Sequence, residues 1–127
     1  MNTDLFIARV HEGCSQLDVE AVHEHTLITL DTLCEQLPQE QAEHMAGQLP
    51  DEIAEAVRAG GNRADTSGVP MTLDEFYDKL MFRTELGTED VRDLARSVVR
   101  TLEQALSDGE ADKTIANLPG ELSQLAR

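Results

Sequence analysis

The chain is predicted to be an all-α helical bundle of two tandem repeats, each of three to four helices, packed with pseudo-two-fold symmetry. Three observations predict it. Apolar residues recur at helical rather than alternating spacing, the two halves superpose at a shift near 70 residues, and each half closes on Leu-Pro, at Leu49-Pro50 and Leu118-Pro119. The β-branched residues follow the same helical spacing, so no strand is expected.

The repeat is read residue by residue. Asp4 and Phe6 fall on Asp74 and Phe76 at a shift of 70. After a one-residue indel the shift is 69. Leu17, Val22, Thr32, Leu33, Leu37, Ala42, Leu49, Pro50 and Glu52 then fall on Leu86, Val91, Thr101, Leu102, Leu106, Ala111, Leu118, Pro119 and Glu121. Val10 with Leu80, Leu30 with Val99 and Ile53 with Leu122 are conservative matches. Repeat one is assigned to about 3–58 and repeat two to about 72–126. Residues 59–71 between them are rich in Gly and small polar residues, lack periodicity and read as a flexible linker. Units of this size are marginal alone because they bury too small a fraction of their surface. The two copies are therefore expected to pack as one domain over residues 1–127.

Each helix has a local reason. The first of each copy spans residues 3 to about 13 and 73 to about 83, the second opened by a Thr72/Glu75 capping box. The long second helix, residues 18–37, places Val19, Val22, Thr26, Leu30, Leu33 and Leu37 on one stripe, flanked by Leu27 and Cys34. Val91, Leu94, Ala95, Val98, Leu102, Ala105 and Leu106 repeat that stripe, leaving Arg92, Arg96, Arg100 and Glu103 mainly to solvent. Third helices cover about 38–48 and 108–117, the latter behind a Ser107/Glu110 capping-box signature. Proline ends each and starts a short fourth helix, residues 51–58 and 120–126.

Charge narrows the function classes. Twenty-five Asp and Glu against ten Lys and Arg give a formal charge of -15, which repels a polyphosphate, so no nucleic-acid partner is expected. No apolar run approaches the roughly 20 residues of a spanning helix, and the start lacks a secretory signal, so no membrane association and a cytoplasmic location are expected. An acid-rich chain with Lys79 and Lys113 as its lysines suits either a salt-adapted cytoplasm or docking on a basic partner. Residues 1–61 carry twelve acids and two Arg, so a basic partner is expected to prefer the first half.

The Phe-bearing first helix, the long second helix, the closing Leu-Pro dipeptides and the duplication together resemble a bacterial and archaeal family catalogued as domain of unknown function 2267, over about residues 4–125. The resemblance implies a small helical bundle of two related units. It carries no activity, cofactor or catalytic residue to transfer.

Candidate chemistry is sparse. His11, His23, His25, His44, Cys14 and Cys34 all lie in the first half. His11, Cys14, His23 and Cys34 are candidate metal ligands by type, since zinc takes Cys and His. Their spacing matches no zinc motif, and His23 and His25, two apart, point away from each other on one helix. Satisfied histidines and buried thiols are the simpler account, and a Cys14–Cys34 bridge requires alpha carbons within about 7 Å. The acid pairs Asp51-Glu52, Asp74-Glu75 and Glu89-Asp90 sit at helix starts, where the dipole favours them. No phosphate loop, nucleophile elbow or calcium loop is present, and no cofactor or catalytic residue is assigned. Ile28 projects opposite the stripe and, with His25 and Ile53, is the candidate contact surface toward the other copy or a partner. The expected function is a non-enzymatic helical interaction module or small regulator that binds a protein partner or itself. The alternatives are a metal or small-ligand binder using those four residues, and an enzyme with a site between the copies.

Overall fold

Seven α-helices and a closing 3-10 helix follow one another without a strand in the computed structural model, which describes residues 1–127. They are α1 (Thr3–Glu12), α2 (Val19–Cys34), α3 (Gln39–Ala46), α4 (Asp51–Asn62), α5 (Leu73–Thr84), α6 (Thr88–Ala105), α7 (Asp108–Asn117) and the 3-10 helix Gly120–Ala126. None is long and apolar enough to cross a membrane. The starts are set by side chains that satisfy orphan amides. Asn2 accepts from Leu5 N, Asp18 from Ala21 N, and Thr72 and Glu75 form the full reciprocal box. Pro38 and Pro50 stand at the N-caps of α3 and α4, where no side-chain bond forms.

One core of 30 buried apolar residues draws on both halves, from Phe6 and Leu30 to Phe76 and Leu122, so the halves share a single interior. Its centre is the pair of long helices. α1 packs on α6 as well as on α2, and α5 packs on α2 as well as on α6, while α2 meets α6 and α3 meets α7. The first helix of each half thus lies across the long helix of the other. Polar contacts at corresponding positions follow suit. Arg9 donates to Gln104 at 2.8 Å, and Lys79 donates to Glu35 at 3.3 Å. Cys14 donates to Val10 O and Thr84 to Leu80 O, each four residues back; Thr32 and Thr101 do the same toward Ile28 O and Ser97 O.

Several expectations are corrected. The segment read as a linker, residues 59–71, begins too early, because α4 runs to Asn62 and both Gly60 and Gly61 are buried. These glycines serve close approach rather than flexibility. A Cβ on Gly60 would overlap the Asp31 carbonyl, and one on Gly61 would lie 2.6 Å from Ala42 Cβ. The true connector starts at Arg63 and is held, not loose: Asp65 N–H donates to Glu35 O at 2.7 Å. The second fourth helix is a 3-10 segment. Val19, assigned to the buried stripe, is 50% exposed, since it opens α2 beyond the core. Conversely Thr29, Thr32, Ser97 and Thr101 are buried off the stripe, because each long helix is covered on more than one side. The Ser107/Glu110 box forms in one direction only: Ser107 accepts from Glu110 N, but the Ser107 amide goes to Gln48 Oε1 and the Glu110 side chain is buried.

Replacing Gly60 with Ala is expected to destabilise the protein by about 1–3 kcal/mol, the range for overpacking. Gly109 on α7 has no atom within 4 Å of a Cβ, and Gly109→Ala is expected to be neutral or to stabilise by up to about 1 kcal/mol. Urea denaturation of the two variants measures both. Equal midpoints would contradict the close crossing of α4 on α2.

Candidate functional site

α5 brings two cations to α2 in register. Lys79 and Arg83 stand one turn apart on α5, Asp31 and Glu35 one turn apart on α2, and the helices run so that Lys79 meets Glu35 at 3.3 Å and Arg83 meets Asp31 at 2.9 Å. Arg83 also donates to Thr32 Oγ1 and comes within 3.9 Å of Glu35. Arg63, just past the end of α4, adds a third cation that bonds Asp31 and lies 3.7 Å from Glu35. The bond to Asp31 pushes the Arg63 guanidinium pKa further up. Both carboxylates are only 15% exposed, so the cluster fastens α5 and the residue that caps α4 to α2 through two acids shielded from water.

Beside this cluster lies an open groove of about 340 Å³, lined by Leu27, Ile28 and Asp31 of α2, Glu52, Glu55 and Ala56 of α4, and Arg83 of α5. Its upper end is marked by a hydrogen-bonded pair, His23 with Glu52. The reason for the groove is found at the corresponding crossing of α1 on α6. There Gly13 and Ser97 occupy the positions of Arg83 and Ile28. Ser97 donates to Val10 O at 2.7 Å, and a Cβ on Gly13 would lie 2.7 Å from Ser97 Cβ, so that crossing is closed. Two small residues shut one crossing. An isoleucine and an arginine line the open flank of the other.

The model of the family described as "Uncharacterized conserved protein (DUF2267)" matches residues 3–125. The chain belongs to the DUF2267 family. No curated protein matches it.

Each residue singled out in this DUF2267 chain has a definite place. Ile28 is half-buried in the groove rather than fully exposed. Ile53 is fully buried in the core and so does not join Ile28 on a contact surface; an apolar residue on the inner side of α4 is taken up by α4 packing on α2 and α3. His25 is half-buried, with Nδ1 enclosed and unpartnered. The four metal-type residues are not gathered. His11 Nε2 donates to Leu17 O at 2.7 Å, Cys14 donates to Val10 O, His23 pairs with Glu52, and Cys34 lies against Gly60. No three His, Cys, Asp or Glu side chains come together in a metal-holding arrangement. Both cysteines are free and buried. Two features escaped the sequence reading. The cluster was signalled by matched i, i+4 pairs, acidic on α2 and basic on α5. Phe82, 86% exposed, was signalled by its counterpart Glu12, a polar position.

Burial pushes the Cys14 thiol from its ordinary 9.0 up to about 11, with Asp93 and Asp90 adding to the effect, and pushes Cys34 up to about 12, with Asp31 adding. These folded-state values lie above the unfolded one. The thiols' contribution to stability is therefore intact below pH 9 and is lost as pH rises toward 11 and 12. At about pH 8 each thiolate is at least roughly a hundredfold scarcer than in the unfolded chain. Iodoacetamide is expected to modify the native protein at least about a hundredfold more slowly than the urea-unfolded protein, read by mass spectrometry. Labelling of either cysteine at the unfolded rate would contradict its placement.

Proposed function

We propose that this chain is a non-catalytic interaction module that receives a protein partner in the groove between α2, α4 and α5. The observation that carries the reading is the difference between the two corresponding crossings. One is closed by Gly13 and Ser97, while the other sets Ile28 and Arg83 beside an opening lined by both apolar and charged side chains. A fold that has only to be stable gains by closing both. Apolar side chains left half-wet in a groove become a source of binding free energy once a partner covers them, at about 25 cal/mol per Å² of apolar surface before the cost of association.

The salt-bridge cluster suits this role. Arg83 lines the groove with its Nη1 tied to Asp31 and Thr32. Prior ordering of this side chain removes part of the entropy that a partner would otherwise have to supply.

Affinity capture with the immobilised protein, run side by side with the Ile28→Ser variant at low and high salt, tests the reading. Serine is the residue already standing at the corresponding position 97, so the variant is expected to keep its helical circular dichroism. A partner retained by the native chain and lost with Ile28→Ser is the expected result. Identical capture by both proteins, or a native chain that sediments as a homo-oligomer through this face, would contradict it.

A further inference from the structure

We propose that the groove's occupant is a cationic amphipathic helix of a second protein, a proposal that rests on the docking role above and adds the partner's chemistry. The charge around the groove sets the sign. Asp31 is already answered by Arg63 and Arg83, and Glu52 by His23, but Glu55 lines the groove with no cation of this chain paired to it. Arg83 is the groove's one Arg or Lys, and its Nη1 is engaged by Asp31 and Thr32. Nor can the surrounding half lend a base. Residues 1–61 contain two, and of these Arg58 is held by Glu43 and Arg9 donates to Gln104. A lysine or arginine from outside would meet an unpaired carboxylate at Glu55, beside Asp31 and Glu52 of the same lining.

Shape selects a helix. Leu27 and Ile28 on α2 and Ala56 on α4 supply the groove's apolar lining, which a third helix would meet with apolar side chains at i and i+4. The acids of the same lining are Glu52 and Glu55 on α4 and Asp31 on α2. A helix with an apolar stripe bordered by Lys or Arg satisfies both together. A second copy of this chain fits poorly, because it would bring a further charge of -15 to an acidic rim.

The probe is a synthetic helical peptide with leucine along one face and lysine over the rest, compared with the same peptide carrying glutamate for lysine. Binding to the full chain is measured by fluorescence anisotropy at low and high salt, and located by amide chemical-shift mapping. The lysine peptide is expected to bind, to shift amides around Leu27, Ile28, Glu55 and Ala56, and to weaken as salt rises; the glutamate peptide is expected not to bind. Ile28→Ser is expected to weaken binding about tenfold, and Glu55→Gln, at an exposed position outside the core, to weaken it severalfold and flatten the salt dependence. Shifts spread over the whole acidic surface, or affinity indifferent to both substitutions, would mean attraction by net charge alone and would overturn the proposal. So would preference for the glutamate peptide or no binding of either. If the peptides fail while Ile28→Ser still abolishes capture of a natural partner, the docking role stands and the occupant's chemistry alone is wrong. If the substitution affects neither, both readings fall.

Discussion

The structure depends on first helices that each pack on both long helices. α1 is covered by the long helix of the second half and α5 by the long helix of the first, so α2 and α6 are each buried on more than one side. That arrangement solves a problem of size. A half of about 55 residues buries a smaller fraction of its surface than the whole chain does, and the single interior draws on both halves. It also explains the hydroxyls inside. A long helix covered on its second face needs small side chains there, and Thr29, Thr32 and Thr101 each return their hydroxyl proton to the carbonyl four residues back, so that none is buried unpaired on that face.

The two crossings are built differently. At α1 on α6, glycine and serine let the backbones close and Ser97 bridges to Val10 O. At α2 on α5 the contact is polar and peripheral. Lys79, Arg83 and Arg63 gather on Asp31 and Glu35, and the apolar flank beside them stays open. Ion pairs of partly exposed side chains contribute little singly, about 0–1 kcal/mol. Here they share two shielded carboxylates, and ordering one cation orders its neighbours. Their role is positional: they hold α5 on α2.

Helix existence and most of the core were legible because burial writes itself into the chain at 3.6-residue spacing, and Val22, Leu30, Leu33, Val91, Leu94, Val98 and Leu102 all lie inside as their spacing implies. The cap at Thr72 was legible because it is local. What periodicity could not reveal was the second covered face of each long helix, because small polar residues such as Thr32 and Ser97 carry no apolar signal. Nor could composition separate two uses of glycine. Gly60 and Gly61 read as linker residues, yet they lie inside α4 where Asp31 O and Ala42 leave no room for a side chain. For the site, Ile28 was visible as an apolar residue off the stripe, while its groove was not, because Glu55, Ala56 and Arg83 reach it only through tertiary packing. The repeat comparison held the clue in the substitution of Ile28 and Arg83 for Ser97 and Gly13.

The sharing of both first helices between the long helices is tested most directly by cutting the chain in the connector. Residues 1–62 and 63–127, produced as separate fragments, are each predicted to show little helical circular dichroism and no cooperative thermal transition, and to recover both when mixed in equal amounts. A fragment that folds cooperatively by itself, with no gain on addition of the other, would contradict the shared core on which everything else in this account is built.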